Sequence, residues 1–146
     1  MAAGAALLVL GAGTPDLLPS AQAAERGHHA TQQQRAAQAR PQRGTASYYA
    51  PRFNGRRMAN GARFNPRSNA AAHRTLPLGT TARVTNLENG RTAEVKVEDR
   101  GPYSRGRIID LSPKVAEQLE MKEQGTAPVV VQPVQVPDRN ERVAQR

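Results

Sequence analysis

A mainly β fold with one short helix is predicted for the central part of the chain, and three observations predict it. Residues 92–97, TAEVKV, alternate in polarity, with Ala93, Val95 and Val97 on one parity and Glu94 and Lys96 on the other, as a half-buried strand requires. Asn89-Gly90 stands between that run and ARVTNL at 82–87, and Asn-Gly between β-rich runs is the strongest short hairpin signal. A helical pattern occurs once: Ser112 can cap it, Pro113 suits its first turn, and Val115, Ala116 and Leu119 share a face before Gly125.

Further strands are expected on either side of these. GTASYYA at 44–50 opens the folded region, and GRIIDLS at 106–112 and APVVVQPVQV at 127–136 supply two more. Pro133 confines the last of them to an edge or a bulge, because proline has no N–H to give a ladder.

The flanks have a different composition. Hydrophobic residues make up 38% of the 146 residues and mean hydropathy is -0.66, low for a chain folded from end to end. Residues 1–23 contain the apolar run AAGAALLVLGAG, then Pro15, Pro19 and the small-residue sequence AQA. This is the pattern of a cleaved signal peptide, too short to span a bilayer, so a periplasmic or secreted location is expected. No Lys or Arg precedes the run, and the first charge is Asp16. Residues 24–43 hold Gln, Ala and Arg with almost no large apolar side chains and read as a disordered basic linker. His28 and His29 within it have no third ligand nearby and read as a solvated pair. The tail 137–146 is equally polar, which leaves one domain at 44–136.

Charge and cysteine content narrow the function classes. There is no cysteine, so no disulfide, no Cys-based zinc site and no lipid anchor on an N-terminal Cys are expected. A net charge of +9 favours a polyanion: nucleic acid, anionic lipid or an acidic wall polymer. No nucleic-acid reading motif accompanies the charge. No transmembrane helix, metal site or cofactor is expected.

One residue breaks the alternation. After Val95 and Val97, the next position of the apolar parity is Asp99. There, desolvation beside the valines would raise its pKa, and Asp110 would raise it further if close. Arg100 would point to the other face. A bulge at Gly101-Pro102 would undo that placement, and Asp99 could instead cap the DRGPYS turn. All five aromatics lie at 48–103. Tyr48, Tyr49 and Tyr103 could stack on sugar rings, whereas Phe53 and Phe64 suit core packing. Arg52, Arg56, Arg57, Arg63 and Arg67 crowd one segment, either to meet anionic groups or as a solvated basic face.

Three linked motifs, GTASYYAPRFNGRRMANGARFN, AAHRTLPLGTTARVTNLENGR and VEDRGPYSRGRIIDLS, resemble the RlpA (rare lipoprotein A) family from Gly44 to about Val136. The resemblance implies a six-stranded double-psi β-barrel, lytic cleavage of peptidoglycan glycan strands, and no cofactor; a monomer is expected. It implies Asp99 as the catalytic acid and Asp110 and His73 as supporting groups or a second acid. Tyr48, Tyr49, Arg100 and Tyr103 are expected to bind substrate. One departure stands out: Ala62 occupies the place where the family usually has a glutamate, and Asn65 a place where Asp is common. Lytic transglycosylation tolerates a single acid. One carboxyl group protonates the glycosidic oxygen, then as carboxylate accepts the proton of the 6-hydroxyl that attacks C1, giving a 1,6-anhydro sugar. The alternative is a non-catalytic, expansin-like binder of wall glycan.

Overall fold

The computed structural model describes residues 39–138; the expected signal peptide, most of the linker and the tail beyond residue 138 lie outside the described residues. Six strands close into a barrel: β1 (Gln42–Tyr48), β2 (Ala70–His73), β3 (Thr81–Asn86), β4 (Thr92–Asp99), β5 (Arg107–Leu111) and β6 (Ala127–Gln135), with one helix, α1 (Pro113–Gln118). Around the barrel the order is β1-β5-β2-β4-β3-β6. The pairs β1/β5 and β2/β4 are parallel and the other four antiparallel. The expected mainly β barrel with one short α-helix is what the described residues form.

Local chemistry sets the connections. β3 and β4 are joined through Asn89-Gly90, with Gly90 at φ 75° in the left-handed region that glycine adopts without cost. Ser112 Oγ accepts the Val115 N–H at 3.3 Å and Pro113 opens α1, so both expected helix-start signals operate. Pro133 faces Ala82 of β3 where the register shifts, and the pairing of β6 with β1 ends at Val131. Proline is therefore placed at a bulge, where its missing N–H breaks no ladder bond.

The core has two parts. The barrel interior is filled by Ala46, Ala71, Ala82, Val84, Val95, Val97, Ile109, Leu111, Val129 and Val131, and closed off by Val115, Ala116, Leu119 and Met121 from α1 and its exit. A second cluster, Tyr49, Met58, Phe64, Ala70 and Ala72 with Phe53 against it, lies outside the barrel wall beneath the long β1–β2 connection. The short side chains of β2 (Ala70, Ala71, Ala72) therefore serve both sides of the wall, and every residue of that strand is buried.

β1 begins at Gln42, two residues before the expected domain start. Gln42 pairs with Val131, and its Oε1 lies 2.9 Å from His73 Nε2. His73 is paired with Ile109 and is 2% exposed. Its Nδ1 accepts the backbone N–H groups of Thr75 and Leu76 at 3.1 and 3.0 Å. An acceptor at Nδ1 makes Nε2–H the donor to Gln42, so the neutral ring stitches the end of the barrel together.

This packing can be tested at two buried polar residues. Asn86 is buried, donates through Nδ2 to the Leu119 carbonyl at 2.9 Å, and accepts the Glu88 N–H at 3.0 Å, so it ties the hairpin to the exit of α1. Asn86→Leu should cost about 1–3 kcal/mol, as expected for stranding buried polar groups, read as a lower urea midpoint. The second test concerns pH. Burial first, then the charges of Arg100 and Arg74, lower the His73 pKa from 6.5 to about 4. Between these values the unfolded chain binds a proton that the folded chain refuses, so this contribution is complete above pH 6.5 and lost as pH falls toward 4. The loss is at most about 1.4 kcal/mol per pH unit. His73→Gln should be less stable at neutral pH yet flatten the urea midpoint between pH 6.5 and 4 relative to the parent.

Candidate active site

The site is built on a break in register. In the parallel pair β2/β4, Ala71 lies opposite Val97, but Ala72 lies opposite Asp99. β4 thus carries one extra residue at Glu98, a β-bulge that re-aims the side chains beyond it. Ala71 and Val97 face the barrel interior, whereas Ala72 belongs to the outer cluster, so Asp99 is turned to the outer face. Its expected position beside Val95 and Val97 is corrected: the bulge removes it from their parity. Gly101, at φ 129°, then lets the chain leave the strand through a conformation unfavourable for a side-chain-bearing residue.

On that outer face the half-buried Asp99 carboxylate meets three donors. The Tyr49 hydroxyl donates to Oδ2 at 2.7 Å, and the N–H groups of Ala59 and Arg100 both donate to Oδ1 at 2.9 Å. Tyr49 is 8% exposed, its ring 4.2 Å from that of Phe64 and 5.7 Å from that of Phe53, edge-on. Burial, then the hydrogen bond to Asp99 and the charges of Asp99 and Asp110, raise the Tyr49 pKa far above its ordinary value of 10.0. The phenol therefore keeps its proton and acts as a fixed donor. The expectation that Tyr49 offers its ring to a sugar is corrected, because that ring is inside the second core.

Asp110 lies in the same row, facing Ala72 from the opposite side and Ser47 beyond it. Two strand spacings separate Asp99 from Asp110, about 10 Å. Asp110 Oδ1 accepts from Ser47 Oγ and from the Arg107 guanidinium, the latter at 2.5 Å. Asp110 is thus an acid already paired with a cation, two strands away from Asp99.

The remaining expected residues divide by face. His73 comes directly after Ala72 and takes the interior parity, paired with Ile109, so it does not join Asp99. Tyr48 is paired with Leu111, packs against the barrel core and donates to the Lys122 carbonyl at 2.9 Å; it too lies away from Asp99. Arg100 contributes its backbone N–H to Asp99, while its Nη1 donates to the carbonyls of His73 and Leu76 at 3.0 and 2.7 Å. That clamps the turn after β2. Tyr103, 82% exposed, is the one tyrosine of the three with its ring in solvent. Among the described residues no group of His, Asp and Glu is arranged to hold a metal.

The β1–β2 connection covers the site. Residues 55–64 fold back on themselves, with Met58 N–H donating to Ala62 O at 2.8 Å and Phe64 N–H to Arg56 O at 2.7 Å. The tip is fastened to the end of β4 through Ala59 on Asp99 and through Asn60 N–H on Glu98 O at 3.1 Å. Ala62 sits exposed at this tip, its N–H donating to Asn60 Oδ1 at 3.0 Å. Glu98, the inserted residue, is half-buried beside Asp99 in the chain. Among the described residues its side chain has no hydrogen bond or ion pair.

A family model described as lytic transglycolase matches residues 41–131, nearly the whole barrel. The chain is 47% identical over 86 residues to the endolytic peptidoglycan transglycosylase RlpA of Campylobacter jejuni, covering 59% of this chain and 31% of that protein. It is 43% identical over 104 residues to the protein of the same name from Neisseria meningitidis, covering 71% and 43%. This chain thus spans less than half the length of these relatives. Among solved structures, the Streptomyces papain inhibitor superposes with a TM-score of 0.53 at 25% identity, over 66% of this chain and 96% of the inhibitor. The apo expansin of Clavibacter michiganensis gives 0.51 at 24% identity, over 68% and 52%, a likeness of fold alone. With six strands closed in this order and the family model matched over residues 41–131, the chain belongs to the lytic transglycolase family and, within it, to the RlpA group of double-psi β-barrels.

Proposed function

We propose that this chain is a peptidoglycan lytic transglycosylase acting outside the cytoplasm, with Asp99 as its acid and base. The observation that carries this is the unfilled lone pair on Asp99. A carboxylate offers about four acceptor sites. Two on Oδ1 are taken by backbone N–H groups, and one on Oδ2 by Tyr49. That leaves one site, on Oδ2, from which a proton can be given and to which one can return.

In the forward step Oδ2–H protonates the glycosidic oxygen as the C1–O bond breaks. The leaving chain departs with that proton, and the carboxylate receives the proton of the muramic 6-hydroxyl as its oxygen bonds to C1. The acid is regenerated, the product is a 1,6-anhydro end, and no water is consumed. Tyr49 holds the carboxylate through both steps and is a positioning residue. Asp110, neutralised by Arg107, takes no proton in this scheme.

A second reading, an expansin-like wall binder without chemistry, is favoured by Ala62, which leaves the tip over Asp99 without the carboxylate usual there. Asp99→Asn separates the two. The amide oxygen can still accept from Ala59 and Arg100, and its NH2 can donate to the Tyr49 oxygen, so fold and glycan binding persist while anhydro-ended products vanish. Tyr49→Phe keeps the ring packing and should reduce turnover about tenfold, equivalent to about 1.4 kcal/mol on the barrier. Ala62→Glu places a carboxylate at an exposed tip without a steric cost and should raise turnover by a similar factor. Anhydro-muramic ends counted by mass spectrometry are the readout for all three. Sacculus binding with no anhydro product from the parent or from Ala62→Glu would establish the binder.

A further inference from the structure

The β1–β2 connection carries a charge pattern that the fold does not use. No Asp or Glu lies between Glu25 and Glu88, while Arg52, Arg56, Arg57 and Arg63 crowd the arm over Asp99 and are all exposed. None of the four has a carboxylate partner among the described residues. Their placement is nonetheless fixed. The guanidinium carbons of Arg52 and Arg56 lie 4.8 and 5.6 Å from the centre of the Phe53 ring, both attracted to its π face. Arg57 and Arg63 face each other across an antiparallel bridge and are held by the carbonyls of Gly61 and Gly55 at 3.3 and 3.0 Å.

Like charges directly opposite on a sheet destabilise it. Two guanidiniums at the Phe53 ring and two across the bridge, on one short segment without a counter-charge among the described residues and each with donors left over, gain by accepting an anion. Planar, bidentate guanidinium donors match a carboxylate. The arm that carries them is also the segment fastened to Asp99 through Ala59 and to Glu98 through Asn60. We propose that Arg52, Arg56, Arg57 and Arg63 form a carboxylate-binding surface that holds an acidic glycan strand next to Asp99. The carboxylates come either from the lactyl groups of muramic residues that carry no peptide or from the peptides on those that do. The proposal rests on the reading of wall glycan as the substrate.

The test is retention of the full chain on insoluble sacculi, measured by pelleting rather than by cleavage. It uses native sacculi, sacculi stripped of peptides, and sacculi whose carboxylates have been converted to amides. The parent should bind native sacculi and be released as salt rises from about 0.05 to about 0.5 M, over which screening shortens strongly. Replacing all four arginines by Gln should reduce retention roughly tenfold, since each exposed charge contact contributes a small factor. Replacing all four by Lys keeps the charge and should restore a large share of it, with thermal midpoints confirming that both variants fold. Amidated sacculi should hold the parent no better than native sacculi hold the Gln variant. Retention on stripped sacculi assigns the lactyl carboxylates, and its loss there assigns the peptide carboxylates. Equal retention on amidated and native sacculi would overturn the proposal. So would tighter binding of the arginine surface to duplex DNA or phosphatidylglycerol vesicles than to sacculi. Anhydro-product release is scored separately, so a parent that binds through its arginines without cleaving sinks the lytic reading and leaves this one standing.

Discussion

The one-residue bulge in β4 is the constraint on which the site depends. Without it, Asp99 would accompany Val97 into an interior lined by alanine, valine and leucine, where an unpaired carboxylate is costly enough to unfold so small a barrel. With it, the carboxylate lies opposite Ala72 on the outside, and the rest of the site is arranged around that placement. Tyr49 can reach it because Ala70 and Ala72 leave room for the aromatic cluster against the wall. The backbone of Ala59 can reach it because that cluster brings the arm down over the strand end. A matching shift occurs in the other parallel pair, where Thr45 faces Arg107 but Ala46 faces Ile109. There the extra residue, Ile108, fixes the parity that brings Ser47 and Asp110 side by side.

The features legible in the sequence are those carried by side-chain type at a fixed period. The hairpin at Asn89-Gly90, the Ser112 cap, and the bulge forced by Pro133 each obey a local rule. β2 is not legible as a strand, because Ala-Ala-Ala-His has neither β-branched residues nor alternation. Its signal is absent for a physical reason: both faces are buried, one in the barrel and one under Tyr49 and Phe64, and only small residues fit between them. Gln42 and Arg43 resemble the linker because they are polar, although Gln42 pairs with Val131 and accepts the His73 N–H.

The site is legible in its principal residue and less so in its partners. Asp99 stands out as a violation of alternation, and the motifs of the resemblance mark it independently. Tyr48 and Tyr49 are adjacent and so point to opposite faces, and His73 takes the face opposite to Ala72; which of those faces carries Asp99 is set by the residue inserted in β4, and a period of two cannot register it. A one-residue slip exchanges the two faces of a strand. Thus Tyr48 and His73, groove residues by expectation, belong to the barrel side, while Tyr49, a stacking platform by expectation, is the hydrogen-bond donor beneath the carboxylate. Glu98 looks in the sequence like one more polar residue on a solvent face, yet it is half-buried and its carbonyl accepts the Asn60 N–H.

Two carboxylates in one row across β4, β2 and β5 thus have different surroundings, and the difference limits the chemistry. Asp110 is closed by a guanidinium and a hydroxyl, so it serves to join β1 to β5. Asp99 is held by neutral donors alone, and its own cation, Arg100, is directed to the carbonyls of His73 and Leu76. A hydrolytic pair of acids would need a second carboxylate across the bond to be cleaved, and the arm fastened to Asp99 has Ala62 at its exposed tip, not a carboxylate. Such an arrangement fits a reaction in which one group first gives and then takes a proton. It also fits a substrate that brings its own negative charge to the arm and its own nucleophile, the 6-hydroxyl, to the carbon under attack.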